Sequence, residues 1–288
     1  MMETEKGNRR LMMFADYHVH TAFSDDSVYP MEEVVKDAIG LHLDEICFTD
    51  HVDYGIKEDW DSGKEIQYRD GNPITNVDYP LFMKEIERVR EKYNGKISIK
   101  TGMEFGIQTH TIPRFQELFA RYPFDFILLS IHQVEDTEFW TYDFQRGRSQ
   151  KEYNERYYEE LLNVVQKYKN YSVIGHMDYI KRYDEEGIYP FEKVKPIIAE
   201  ILKIVIADGK GIEINTSSHR YGMKDSMPST ELLTLYRDLG GEIVTIGSDS
   251  HSPGQLGSYI PEATEQLKAL GFSYLCTYEK MQPVFHRL

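Results

Sequence analysis

Cysteine is scarce in this chain: two residues, Cys47 and Cys276, among 288. Both lie inside apolar runs ("EICFTD", "FSYLCTY"), which argues against a disulfide-stapled secreted scaffold and predicts buried thiols in a reduced, intracellular protein. Long hydrophobic runs are missing as well. No stretch approaches the roughly 18 consecutive apolar residues of a membrane-spanning helix, and no signal-peptide core follows "MMETEKGNRR". Both absences predict a cytoplasmic location. Linkers rich in Pro, Gly or Ser, low-complexity runs and internal repeats are also lacking, which predicts one domain over residues 1–288. A single α/β barrel of roughly 250 residues fits that length and needs no staple. Basic charge is in deficit, with 33 Lys and Arg against 48 Asp and Glu and a formal net charge of -15. That balance disfavours a polynucleotide partner, whose phosphates need a basic surface. Carboxylates that hold metal ions enter the same sum, however, and are neutralised when they do so.

What is present is an alternation. Short apolar runs ("LMMFADYH", "DEICFTDH", "ISIKTGMEF", "FDFILLSIH", "YSVIGHMD", "KGIEINTS", "GEIVTIGSDSH" and, less regular, "FSYLCTY") are expected to be strands. Between them lie longer amphipathic segments ("PMEEVVKDAIG", "PLFMKEIERVREKY", "KEYNERYYEELLNVVQKY", "FEKVKPIIAEILKIVIADG", "STELLTLYRDLG", "EATEQLKALG"). In "YYEELLNVVQKY" the apolar residues recur at the three- and four-residue spacing of a helix with one buried face. Gly40, Gly209, Gly240 and Gly271 stand where helices should end. Strands separated by helices predict a parallel sheet, open or closed into a barrel. The polar stretch from Asp53 to Tyr79 fits neither period and is expected to be a long loop over the strand ends, where barrel enzymes build their sites.

Nearly every expected strand ends in a side chain able to bind metal. The first ends at His18 and His20, the second at His51, the third at Glu104 and the fourth at His132. The fifth ends at His176 and the seventh at Asp249 and His251; the sixth offers Glu213 and Asn215. Each alone has an ordinary explanation: an incidental "HxH", a capped turn at "GSDSH", a satisfied core histidine at His132. Together they require six of the ten histidines to fall at strand ends by chance. In a parallel barrel those ends share one face, so residues far apart in sequence converge there. Imidazole and carboxylate without thiolate suit Zn²⁺, Mn²⁺ or Fe²⁺ in a hydrolytic centre. The donors are too many for one ion, so two or three metals are implied, with Glu104 as the natural bridge.

The motifs "DYHVHTAFSDDS", "FTDH", "GMEFG", "SIHQ", "GHMDYIKRY" and "GSDSH", in this order, resemble those of the PHP (polymerase and histidinol phosphatase) family. The match runs from about Asp16 to His251, and length and the lack of an attached polymerase domain make the stand-alone histidinol-phosphate phosphatases most similar. The resemblance implies a distorted (β/α)7 barrel, TIM-like, with a trinuclear metal site at the C-terminal strand ends. Carried over by position, His18 and His20 would hold a first metal with Glu104 and Asp249. Glu104 would bridge to a second with His132, helped by His51 or His176. The remaining members, with His251 and an early aspartate, would complete the third. Many relatives place a histidine where Asp26 stands, and others an aspartate at the position of Asp25; spacing favours Asp26. Asp16, Asp50 and Asp178, each near a ligand, are candidates to orient metal-bound imidazoles.

A phosphate ester needs further cations, and the planar fork of arginine suits it. Arg182 and Arg220 follow the fifth and sixth strands and should reach the metal face, whereas Arg146, Arg148 and Arg156 sit in a dense charge run. His219 is a weaker candidate for substrate contact; His42, His110 and His286 are expected to be structural. The resemblance implies hydrolysis of a small phosphate monoester, foremost L-histidinol phosphate in histidine biosynthesis, by a hydroxide bridging two metals. Glu104 would act at the bridge, and Asp249 or His251, through a metal-bound water, would supply the proton to the leaving group. Rival expectations are a phosphodiesterase or nucleotide phosphatase on the same site, and a metal-dependent sensor without turnover. An amidohydrolase barrel also begins with "HxH", but typically places a lysine where Glu104 or His132 stands here.

Overall fold

The computed structural model describes residues 12–69 and 72–288. The expected first strand begins at Leu11, which, with the N-terminal stretch before it, lies outside the described residues. Seven parallel strands pair in chain order: β1 (Ala15–Val19), β2 (Glu45–Phe48), β3 (Ser98–Gly106), β4 (Phe126–Ser130), β5 (Val173–Ile174), β6 (Gly211–Asn215) and β7 (Val244–Gly247). A short strand, His51–Val52, resumes the register of β2 against β3 and sets His51 beside Glu104. The sheet closes where Val19 bridges Ser250, with His20 N–H donating to the Ser250 carbonyl at 2.8 Å. The chain is therefore a (β/α)7-type barrel, as the motif resemblance implied.

Helices flank the strands because each carries one apolar face. Helix α1 (Met31–Gly40) buries Met31, Val34, Val35 and Ala38, the spacing of a single stripe. Left-handed backbone at Gly209, Gly240 and Gly271 ends three later helices as expected, but after α1 it is His42, not Gly40, that takes positive φ.

Strand alternation sorts the barrel interior into two layers. The N-terminal layer is apolar: Ala15, Tyr17, Cys47, Phe126, Leu128, Val173 and Tyr278 pack as one buried cluster. Toward the C-terminal ends the same inward faces carry His18, Glu104, Ser130, Glu213 and Asn215, all buried. Adjacent Tyr17 and His18 both serve the interior, which a regular strand forbids. The register of β1 against β2 slips by one residue between Asp16 and Val19, and this irregularity re-aims His18 inward.

The less regular eighth candidate, "FSYLCTY", is not a barrel strand. It forms Tyr274–Glu279, the first arm of an antiparallel hairpin with Gln282–Arg287 that lies across the N-terminal end of the barrel. The loop after Asp53 also holds a small hairpin, Gln67–Arg69 with Asn72–Ile74. Cys47 and Cys276 are buried and unpaired.

Candidate metal centre

All nine residues expected to ligate metal meet at the C-terminal mouth of the barrel. Glu104 lies at the focus, fully buried. Its Oε2 faces His18 Nε2 at 3.1 Å, His51 Nδ1 at 3.1 Å and His20 Nε2 at 3.4 Å. Its Oε1 faces His176 Nε2 at 2.8 Å, His132 Nε2 at 3.0 Å and the Ser130 hydroxyl, which donates at 2.6 Å. One carboxylate thus divides the imidazoles into two groups. Asp249 Oδ1 joins the first, 3.5 Å from both His18 and His20 Nε2. A third group gathers at the rim, where Asp26 Oδ2 lies 3.2 Å from His251 Nε2 and 3.4 Å from His51 Nε2. Asp25 points elsewhere, its carboxylate 2.6 Å from Lys57 Nζ.

Close packing at glycines makes this convergence possible. A Cβ on Gly106 would stand 1.9 Å from Asp53 Oδ1 and 2.9 Å from His132 Nδ1. A Cβ on Gly247 would stand 2.2 Å from the Cβ of His18 and 2.4 Å from Glu213 Oε1. The glycines of "GMEFG" and "TIGSDSH" are therefore the space into which His132 and His18 fit. At the ends of β5 and β7 the expected ligands His176 and Asp249 themselves take positive φ, 21° and 54°. Arg220 fixes the second of these turns by donating to the carbonyls of Ser248 and Asp249, both at 2.6 Å.

The imidazoles are oriented from behind. His18 Nδ1 meets Glu213 Oε1 at 2.7 Å, His132 Nδ1 meets Asp53 Oδ1 at 2.8 Å, and His251 Nδ1 meets the Asp249 carbonyl at 3.0 Å. Carboxylates and carbonyls only accept, so each Nδ1 donates, which leaves Nε2, facing the centre, as the nitrogen that a metal ion would take. None of the three aspartates expected in this role touches a ring nitrogen. Asp16 instead accepts from the N–H groups of Ser248 and Gly257 at 2.8 and 2.9 Å and ties β7 to β1. Asp50 accepts from Thr21 N–H and Ser24 and reaches His20 only through the Ser24 hydroxyl. Asp178 pairs with Lys181. Sequence reading missed Asp53 as an orienting residue and named Glu213 only as a strand-end donor. Their signal was the alternation in "GIEIN" and the two-residue step from His51 to Asp53.

Electrostatics favour positive charge here. Burial would raise the Glu104 carboxyl, but His18, His132 and His51 hold it well below the usual carboxylate range. Burial likewise opposes ionisation of Asp249, which His18, His20 and His251 nonetheless hold low. His132, against its burial, is pushed up to about 10 by Glu104 and Asp53. His20 goes the other way: burial and the rings of His251 and His51 push it well below its ordinary value and leave it neutral. Its Nε2, and Nδ1 of His51, are buried with no hydrogen-bond partner. Orphaned imidazole nitrogens beside ionised carboxylates fit divalent cations. Four groups of three donors, each within 4.8 Å of one another, recur across the site: His18–His20–Asp249, His18–Glu104–His176, His51–Asp53–His132 and His20–His51–His251.

Above the cluster opens a cavity of about 490 Å³ whose lining includes both Arg182 and Arg220. The Arg182 guanidinium lies over the Tyr221 ring, 3.1 Å from its centroid, and near Tyr179, whose ring stacks on His176 at 4.4 Å. His219 stacks on Tyr259 instead, His110 pairs with Asp136, and His286 bonds Thr277.

A closed parallel barrel whose C-terminal mouth holds a thiolate-free imidazole–carboxylate cluster is the build of a barrel metalloprotein. The chain belongs to the PHP domain family, whose model matches residues 16–217. It is 32% identical over 270 residues to the histidinol-phosphatase of Lactococcus lactis, covering 93% of this chain and 95% of that one. The histidinol-phosphatase of Saccharomyces cerevisiae is 20% identical, with 92% of each chain covered. Among solved structures it is similar to the crystal structure of L. lactis histidinol phosphate phosphatase complexed with zinc, L-histidinol and phosphate. That match has a TM-score of 0.78 and 30% identity, and covers 94% of this chain and 98% of the other.

Proposed function

We propose that this chain is a metal-dependent histidinol-phosphatase, a phosphoric monoester hydrolase that converts L-histidinol phosphate to L-histidinol and phosphate. One observation carries this: a match over nearly the whole chain to a histidinol phosphate phosphatase whose structure holds zinc, L-histidinol and phosphate. The donor set and the cavity described above are consistent with it. Residues His18, His20, Glu104 and Asp249 would hold one ion, Glu104, His132 and His176 a second, and Asp26, His51 and His251 a third. The ions, Zn, Mn or Fe, supply Lewis acidity that makes water nucleophilic at neutral pH and neutralises phosphoryl charge. Glu104 holds two ligand groups at one spacing, while Glu213 and Asp53 keep His18 and His132 in the ligating tautomer. Arg182 donates to the phosphoryl oxygens, its plane set by Tyr221. Arg220 reaches the same cavity and also fastens the turn that presents Asp249. Asp249 or His251 would relay a proton from water to the departing alcohol oxygen. No helix among the described residues is long and apolar enough to cross a membrane. The chain would act as one domain, a cytoplasmic enzyme of histidine biosynthesis with a small phosphorylated substrate.

The test is phosphate release from L-histidinol phosphate, p-nitrophenyl phosphate, a bis-ester and a mononucleotide, on protein stripped with chelator and reloaded with Mn²⁺ or Zn²⁺. The expected result is a strong preference for L-histidinol phosphate that vanishes on stripping and returns on reloading. Turnover confined to the bis-ester or nucleotide would overturn the substrate; bound metal without any turnover would overturn the enzyme. Arg182→Met removes charge-assisted hydrogen bonds worth about 1.5–3 kcal/mol, and kcat/KM should fall roughly 10- to 100-fold.

A further inference from the structure

Lys57 is nearly buried, 7% exposed, on the segment that follows Asp53. Its ammonium contacts two carboxylates, Asp25 Oδ1 at 2.6 Å and Asp53 Oδ2 at 3.0 Å. Each adjoins a different part of the metal cluster. Asp25 directly precedes Asp26, whose carboxylate faces His51 and His251. Asp53 lies two residues beyond His51, and its other oxygen accepts from His132 Nδ1 at 2.8 Å. A second bond sets the spacing: Lys57 N–H donates to the Asp53 carbonyl at 2.8 Å, one helical turn back. Asn76 fixes the Asp53 backbone by accepting its N–H at 2.9 Å.

Two largely buried carboxylates this close together are costly unless a cation neutralises both. An ammonium is a compact charge on a flexible stem and can satisfy two acceptors at an angle that the flat fork of arginine does not match. Without it, Asp25 and Asp53 would be anions free to compete for the ions meant for Asp26 and His132. With it, Asp25 is turned from the centre and Asp53 is left one oxygen with which to hold an imidazole. We propose that Lys57 is a positioning residue for metal binding: it pins the Asp25–Asp26 turn to the His51–Asp53 strand and thereby holds the Asp26–His51–His251 and His132–Asp53 groups in register. The inference rests on the metal-centre part of the proposed function and not on its substrate.

The experiment measures metal binding, not turnover. Wild type, Lys57→Met and Asp25→Asn are stripped with chelator, checked for fold by circular dichroism, and titrated with Mn²⁺ or Zn²⁺ against a chromophoric chelator. Lys57→Met keeps the stem and loses the charge; its affinity for at least one ion should fall roughly 10- to 100-fold, the usual effect of losing a group behind a ligand. Asp25→Asn leaves Asp53 paired, so its loss should be smaller and confined to one ion. In the metal-loaded protein the ¹⁵N signals of the His132 ring should change from a single tautomer in wild type to a mixture in Lys57→Met. Wild-type affinity and stoichiometry in a folded Lys57→Met, whatever its melting temperature, would overturn the proposal. If that variant does not fold, unchanged binding in Asp25→Asn overturns it. A wild type that binds neither ion removes the metal centre and this inference together. One that binds but does not hydrolyse L-histidinol phosphate removes only the substrate, and the variants still decide the role of Lys57.

Discussion

Replacing Glu104 with glutamine is expected to abolish measurable phosphate release, a loss on the order of 10³-fold or more, because charge stabilisation at the reacting phosphoryl group is the main catalytic lever. Glutamine preserves shape and volume, so packing is not the variable. What changes is the charge of a buried group with five imidazoles and one hydroxyl around its two oxygens. As a carboxylate it can face two ions at once, one per oxygen. As an amide it keeps one acceptor and turns an NH₂ donor on the other group. That amide would meet either the Nε2 lone pairs of His132 and His176 or the nitrogens of His18, His20 and His51. At least one ion should therefore be lost, and metal analysis of purified protein should show stoichiometry falling with rate. Full metal content with more than a tenth of wild-type activity would refute the bridging role. Glu104→Asp makes a useful companion, since it keeps the charge but shortens the reach; it should retain more metal than the glutamine variant and still turn over slowly.

The largest effect on stability is expected at the opposite end of the barrel, from Tyr278→Ala. Tyr278 is 1% exposed, and its ring packs 5.1 Å from that of Phe126 and 6.5 Å from that of Tyr17. Its N–H donates to the Tyr17 hydroxyl at 2.6 Å and its own hydroxyl donates to the Ser172 carbonyl at 3.2 Å. Deleting the ring would empty part of the apolar layer below the metal site. A large aromatic truncated to alanine in a packed core costs about 3–5 kcal/mol. Tyr278→Phe removes only the hydroxyl and should cost about 0.5–1.5 kcal/mol. Equilibrium unfolding in urea on metal-free protein measures both without the added stabilisation that bound ions would bring. A loss below 1 kcal/mol for the alanine variant would mean that the C-terminal hairpin contributes little to closing the barrel.

Much of the architecture was legible because it follows from local periods. Alternating apolar runs and amphipathic helices predicted a parallel sheet. Polar residues at the ends of those runs predicted the face on which chemistry would gather, and the motif order pointed to the family. The misplaced element, "FSYLCTY", is instructive: a half-apolar run followed by a turn reads alike whether it enters a barrel or folds back as a hairpin across its end. The orienting residues were harder still. Asp50 adjoins His51, and Asp16 and Asp178 stand two residues from His18 and His176, yet backbone N–H groups, hydroxyls and Lys181 take up all three carboxylates. The groups that do orient imidazoles, Glu213 for His18 and Asp53 for His132, come from other parts of the chain.

The inventory could be read along the chain, because residue chemistry and periodicity are local: hard and borderline metal donors at strand ends, glycines between them, no thiolate, and an acidic balance. Which of these groups face one another came from the folded chain. A register slip in β1 turns His18 inward beside Tyr17, Gly106 and Gly247 make room for the pairs behind the centre, and Lys57 draws Asp25 away while Asp26 turns toward His51 and His251. Each of these depends on distances between segments far apart in the chain, set by barrel closure and by the burial of one cation, and no window of local sequence contains them.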